Sequence, residues 1–203
     1  MKILIIGGTG TIGTSVASLL KKDNHEVITV GRSSGDIHAD IMNKESLEKM
    51  FTEVGEIDGI ISTCGGSGIR PFHLQNDDDI NLAINSKLKG QIDVIRLGVH
   101  KVKENGFILV TTGTASHTFI PGASLITMSN TGLEGYVRAI NIEQYRGVRI
   151  NAVSPAFVKE TAELMGMEIP NSIPAADTAS VYKMVMESNE SGIVADVPKY
   201  LNL

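Results

Sequence analysis

The first thirteen residues constrain the fold more than any other segment. Lys2-Ile3-Leu4-Ile5-Ile6 is a short apolar run that passes directly into Gly7-Gly8-Thr9-Gly10-Thr11-Ile12-Gly13. A near-continuous apolar run of this length is what a parallel strand covered on both faces requires. The glycines allow a tight turn and close backbone approach, and a helix after them presents free N–H groups and a positive dipole end. Gly8-x-Gly10-x-x-Gly13 and Gly7-x-x-Gly10-x-x-Gly13 both fit patterns that cradle the pyrophosphate of a dinucleotide. Their position between a strand and an amphipathic helix (Ile12, Val16, Leu19, Leu20) is what gives the pattern its specificity. The alternatives are a flavin or S-adenosylmethionine in the same crevice, or a glycine turn that binds nothing.

The rest of the chain repeats the same alternation. Glu26–Val30, Gly59–Ser62, Phe107–Thr111, Arg149–Ser154 and Gly192–Val197 read as strands. Helices are predicted after Ile12, around Leu47, Met50 and Val54, from Asp77 to Lys103, from Leu125 to Gln144 and from Ala176 to Glu187. Asn76 is placed to cap the helix that begins at Asp77, and Asp77, Asp78 and Asp79 suit its positive end better than they suit a metal. No linker, repeat or low-complexity segment interrupts residues 1–203. The expectation is therefore a single α/β domain with a doubly wound parallel sheet, a Rossmann fold. Only Gly31 to Gly35 separates the second strand from the short Asp36–Ala39 segment, whereas a parallel crossover normally takes a dozen or more residues. A helix is expected to be missing there, with the third strand short and at the sheet edge.

At the end of the second strand the sequence reads Val30-Gly31-Arg32-Ser33-Ser34. NAD binding would call for an acidic residue here. An arginine with adjacent serines suits a 2′-phosphate instead, by charge and by bidentate geometry, so NADP(H) is favoured over NAD(H). The alternative is a solvated turn arginine. With these residues the chain resembles the short-chain dehydrogenase/reductase family over nearly its whole length. Asp40-Ile41 looks like the family's pair at the adenine. Ser62-Thr63-Cys64-Gly65 stands where the family has Asn-Asn-Ala-Gly, with only Gly65 kept. Asn85 matches the asparagine of its catalytic tetrad. Asn151 to Thr161 resembles the segment that holds the nicotinamide: Pro155, Val158 and Thr161 match, while Ala156 replaces a glycine. The resemblance implies that the Val158 backbone and Thr161 anchor the carboxamide.

The resemblance fails where proton transfer occurs. The family pairs a tyrosine with a lysine four residues on, so that both share one helix face and the ammonium lowers the phenol pKa. Counted back from Thr131-Gly132-Leu133-Glu134-Gly135, the tyrosine position holds Ile126, the lysine position Asn130 and the serine position Gly113. Between Phe107 and Gly135 there is neither tyrosine nor lysine. The tyrosines at 136, 145, 182 and 200 have no lysine at i+4. His117 is the remaining proton donor near the site, and an unperturbed histidine titrates near pH 6.5; a solvent-facing loop histidine is the competing reading. Asn85, whose family role runs through a water to the absent lysine, is left with local helix geometry. Cys64 has no basic neighbour in sequence and reads as an inert thiol. No histidine spacing suits a metal.

The net charge of −5 and the lack of a basic cluster, with Lys87, Lys89 and Arg96 set among apolar helix residues, argue against nucleic acid. Aromatic residues at 4% offer no stacking platform for bases. No apolar run approaches the roughly 20 residues of a membrane span, and the start does not read as a signal peptide. A single cysteine excludes an internal disulfide and fits the cytoplasm. The segment from Ala162 to Pro174, the family's substrate lid, is short and implies a small or open substrate site. Apolar residues on more than one face of the long helices (Ile80, Leu82, Ala83, Ile84, Leu88; Leu125, Met128, Leu133, Tyr136, Ile140) imply covering on both sides, which in related proteins comes from a homodimer or homotetramer. The functional expectation is an atypical oxidoreductase acting on a small molecule, or a non-catalytic NADP(H)-binding sensor with no substrate.

Overall fold

The computed structural model describes residues 1–203. The chain runs β1 (Lys2–Ile6), α1 (Thr11–Lys22), β2 (Glu26–Gly31), β3 (Ile37–His38), α2 (Lys44–Val54) and β4 (Ile57–Ser62). It continues through α3 (Asp77–Leu82), a π-helical stretch (Ala83–Gly90) and α4 (Gln91–Gly98) into β5 (Val102–Thr111). The remainder is α5 (Ser124–Ile140), β6 (Arg149–Ser154), α6 (Lys159–Leu164), α7 (Ala175–Glu187), β7 (Val194–Asp196) and α8 (Val197–Tyr200). All seven strands form one parallel sheet in the order β3-β2-β1-β4-β5-β6-β7, a Rossmann arrangement.

The two-residue period of a strand divides the core in two. Leu4 and Ile6 of β1 join Ile60, Ile108 and Val110 under α2, α4 and α5. Ile3 and Ile5 join Ile61, Leu109 and Val153 under α1 and α7, where Val16, Leu20, Tyr182 and Val185 pack. Both faces are covered, which is why β1 carries no polar alternation.

The shortened crossover is present. β3 has two residues and pairs only through Val30↔Ile37 and Gly31↔His38 at the sheet edge. Asp36 folds back onto β2: Thr29 donates to its carboxylate from the backbone N–H (2.8 Å) and the hydroxyl (2.7 Å). The long helix differs from expectation. It starts at Asp77 with a capping box between Asn76 and Asp79, but ends at Gly98 rather than Lys103. Gly98 packs so close to Ile60 and Phe51 that a side chain there would collide with both. The chain then turns, and Lys101 O accepts from Ile57 N at 3.0 Å. Val102 thus already pairs with Ile57, and a bulge precedes the Gly59↔Phe107 pair. The helix predicted from Leu125 to Gln144 ends as α5 at Ile140 with one 3₁₀ turn to Glu143. The last strand is confined to Val194–Asp196.

Candidate functional site

Most of the sequence-derived residues follow the carboxyl ends of β1, β2, β4, β5 and β6, along one edge of the sheet. After β1, Gly7, at φ 83°, donates to Val30 O (2.8 Å), Gly8 donates to the same oxygen (3.0 Å), and Gly10 N closes the turn on Gly7 O (3.0 Å). A side chain at Gly13 would run into the Gly7 carbonyl, so only glycine lets α1 sit this close to β1. Gly10 caps α1 without a side-chain hydrogen bond, and the first turn holds no acidic residue. The N–H groups of Thr11, Ile12 and Gly13 are left free at the positive end of a twelve-residue helix. This is a cradle with room and donors for an anionic pyrophosphate.

One wall is formed by the end of β2. A side chain at Gly31 would strike the Thr9 hydroxyl and the Ser34 carbonyl, which places Thr9 beside the Arg32-Ser33 turn. Arg32 is largely exposed, with its Nε 3.8 Å from Asp40 Oδ2. An exposed pair of this kind is worth about 0–1 kcal/mol and leaves the guanidinium free to turn toward a phosphate. Asp40 Oδ1 accepts from Met42 N at 2.9 Å, while Ile41 is buried beneath against Gly90. Gly65, at φ 104°, lies next to Lys87 and Ser86.

The opposite wall comes from β6 and the segment after it. Pro155 O accepts from Thr114 N (2.9 Å) and ties this segment to the loop after β5. Val158 bridges Ile173 in parallel fashion, with Ile173 N bonding Phe157 O and Lys159 N bonding Ile173 O. The Val158 N–H therefore points away from Ile173 and has no main-chain acceptor. Thr161 is half-buried one turn further on. The segment above is short and open: Leu164, Met165 and Met167 are exposed.

The catalytic replacements lie together. A side chain at Gly113 would approach Asn130 Nδ2 to 3.0 Å, and Asn130 Nδ2 donates to Gly113 O at 3.4 Å. Asn130 Oδ1 is buried and lacks a hydrogen-bond partner. His117 is half-exposed, but it is not a free loop histidine. Its Nε2 lies 3.0 Å from Asp196 Oδ2, and its Nδ1 lies 3.1 Å from Ser116 Oγ, pinning the loop after β5 to the end of β7. Asn85 sits half-buried inside the π-helical stretch.

Tyr182 is fully buried and donates to Thr111 Oγ1 (2.6 Å), which in turn donates to Ser62 O (2.6 Å). Burial pushes its pKa up, the opposite of what an acid in turnover needs.

One group that composition and spacing did not single out reaches this region. Lys87 is buried, and its Nζ donates to Thr111 O (2.9 Å) and Thr112 O (3.1 Å), immediately before Gly113. Gln91, one turn later, accepts from Thr111 N (2.9 Å) and donates to Thr111 O (2.7 Å). Pairing between β4 and β5 stops at Ile61↔Leu109, and these two side chains fill the split. Burial without a carboxylate partner brings the Lys87 pKa down to about 8. Cys64 thus has a basic neighbour after all, yet burial outweighs it and pushes the thiol up. The sequence signal was the i, i+4 row Ala83, Lys87, Gln91, which places a lysine on the buried face.

Comparisons with known proteins follow this geometry. A family model described as enoyl-(acyl carrier protein) reductase matches residues 8–195. Hydroxynaphthalene reductase arp2 of Aspergillus fumigatus is 26% identical over 179 residues, covering 77% of this chain and 66% of that protein. The chain thus spans just under two thirds of that relative. The crystal structure of the protein lin1944 from Listeria innocua superposes with a TM-score of 0.91 at 34% identity, covering 96% of this chain and 98% of that one. A small-chain dehydrogenase in complex with NADPH superposes with a TM-score of 0.87 at 23% identity, covering 97% and 95%. No helix is long and apolar enough to cross a membrane.

Proposed function

The chain belongs to the short-chain dehydrogenase/reductase family, and from that premise we propose that it is an NADP(H)-dependent oxidoreductase with altered catalytic residues. The observation that carries this reading is the cradle itself: glycines at 7, 10 and 13 leave no Cβ over the turn, and the N-terminus of α1 is uncapped by any side chain. The N–H groups of Thr11, Ile12 and Gly13 would hold the pyrophosphate. Arg32 and Ser33 would hold the 2′-phosphate, and Asp40, Ile41 and Gly65 would line the adenosine side. Pro155, the Val158 N–H and Thr161 would hold the carboxamide. The NADPH bound by a protein of the same fold supports the assignment.

When bound, the nucleotide supplies a hydride. What the chain's own residues lack is the phenol that would hand over a proton. A positioned general acid is worth about 10²–10⁴-fold in rate, whereas holding two reactants in register is worth up to ~7–11 kcal/mol. The crevice therefore suits acceptors that need little protonation, such as quinones or activated alkenes, and suits ordinary ketones poorly. On this wall His117, held between Asp196 and Ser116, is the side chain able to release a proton.

Thermal unfolding with each nucleotide tests the reading. NADPH at 100 times its dissociation constant stabilises by about 2.7 kcal/mol, a rise of about 5–10 °C for a chain of this size. No rise with NADPH or NADH would end it. The replacement of the tyrosine, lysine and serine positions by Ile126, Asn130 and Gly113 favours a second reading, a non-catalytic NADP(H) sensor. An acceptor panel with no turnover in a protein that binds NADPH would select it. We also propose that the helices carrying Ile80, Leu82, Ile84 and Met128, each more than a third exposed, pair with those of a second copy. Light scattering at the monomer mass would refute that.

A further inference from the structure

Lys87 is a cation placed where the proposed reaction does not use one. Its ammonium donates to two main-chain carbonyls, those of Thr111 and Thr112, at the end of β5. An ammonium has three donors, so one remains. The side chain is buried and takes part in no ion pair. A buried charge without a counter-charge is costly, and such groups concentrate at functional sites. Its position is specific. Thr112 N bonds Val153 O (2.9 Å), Thr114 N bonds Pro155 O (2.9 Å), and Gly113 lies between them. The charge thus sits one residue behind the contact between the β5 loop and the segment assigned to the nicotinamide.

The two redox forms of a nicotinamide nucleotide differ in charge at one place: the oxidised ring is a cationic pyridinium and the reduced ring is neutral. We propose that Lys87 is a specificity-determining residue that makes the crevice favour the reduced nucleotide over the oxidised one, by repelling the pyridinium through a desolvated protein wall. The inference rests on the nucleotide-binding reading above and needs no turnover. Like unit charges on the order of 10 Å apart, at an effective dielectric of about 20, shift a binding constant by roughly tenfold.

The surroundings leave this charge uncompensated. From the end of β4 the titratable group acting on Lys87 is the Cys64 thiol, which burial keeps protonated. β5 presents the Thr111 and Thr112 carbonyls, and its own helix presents the Ser86 hydroxyl and the Gln91 amide. α5 packs against this helix through Gly132 on Leu88, and its carboxylate Glu134 is bound to Arg138. Because the Lys87 pKa lies at about 8, the discrimination is present below that pH and fades above it.

The test measures dissociation constants for NADPH by its own fluorescence and for NADP⁺ by competition, from pH 6.5 to 9.5. The expected ratio favours NADPH about tenfold more at pH 6.5 than at pH 9.5. Lys87→Met is expected to hold the high-pH ratio throughout, and Lys87→Arg to keep the low-pH ratio even at pH 9.5. A wild-type ratio that stays flat across the range overturns the proposal, as does a Lys87→Met ratio equal to wild type at pH 6.5. If Lys87→Met fails to fold, the wild-type pH series decides alone. Failure of both forms to bind removes the nucleotide-binding reading, and this inference with it. Binding of both with an unchanged ratio removes only the role of Lys87.

Discussion

Lys87→Met should change how stability depends on pH. In the folded chain the ammonium is fully enclosed, and its pKa falls from 10.5 to about 8 because burial penalises the charged form. The unfolded chain therefore holds more protons than the folded one between about pH 8 and 10.5. Stability rises with pH wherever the unfolded state binds more protons, so the contribution of Lys87 grows across that window and is at its least below pH 8. Each pKa unit corresponds to about 1.4 kcal/mol, and the 10.5-to-8 shift makes the full swing about 3 kcal/mol. Two other buried groups act the opposite way: burial raises the pKa of Tyr182 and of Cys64, so both lower stability as pH rises. Tyr182 is present in wild type and variant alike and cancels in the difference; Cys64, coupled to Lys87, is pushed higher still in the variant, since the ammonium that lowers it is gone. The assay is urea unfolding followed by far-ultraviolet circular dichroism at intervals from pH 7 to 10.5, since the chain has no tryptophan. Wild-type stability minus that of Lys87→Met should rise by about 3 kcal/mol over the series. Parallel curves would show that Lys87 is solvated or paired, and would refute the reasoning.

Three further outcomes follow from geometry. Gly13→Ala drives a methyl group into the Gly7 carbonyl; a loss of about 2 kcal/mol is expected, lowering Tm by about 4–8 °C, together with loss of any NADPH-induced rise, and a retained rise would show that the cradle is not the binding site. Arg32→Ala should weaken NADPH roughly tenfold, the scale of a hydrogen bond to a charged group, and leave NADH unchanged in parallel fluorescence titrations. Tyr182→Phe removes the donor to Thr111 Oγ1 and should cost about 1 kcal/mol in urea unfolding, while the Thr111 bond to Ser62 O persists.

Much of the fold was legible because the forces that shape it are local and periodic. Arg149–Ser154 is a strand in the structure over the same residues that its apolar pattern delimits. The cap at Asn76 and a short edge strand within Asp36–Ala39 could be read from single residues and from loop length. The far end of the Asp77 helix was not legible. Its termination depends on the close approach of Gly98 to Ile60 and Phe51 and on the pairing of Val102 with Ile57, contacts made by distant segments. The widening of Ala83–Gly90 into π-helical geometry likewise has no signature in a 3.6-residue period. The site divided the same way. The glycine turn and the Pro155–Thr161 segment carry sequence patterns. Lys87 carries only the i, i+4 row that buries it, because its meaning comes from the place where β4 and β5 part. The tie between His117 and Asp196 joins a loop to a strand end 79 positions later, beyond any spacing rule.

Asp36 has a consequence for life in acid. Where other sheets end in a full strand and its helix, here one carboxylate takes the outward N–H of β2 at Thr29 together with the Thr29 hydroxyl. Those hydrogen bonds, led by the Thr29 backbone N–H, hold its pKa below the usual carboxylate range. The guard is in place at neutral pH and is withdrawn as pH falls through that lowered value. A freed strand edge is a template for a neighbouring chain. Self-association in strongly acidic solution, below the usual carboxylate range, promoted at neutral pH by Asp36→Ala and visible by sedimentation, is the weakness that the abbreviated crossover leaves behind.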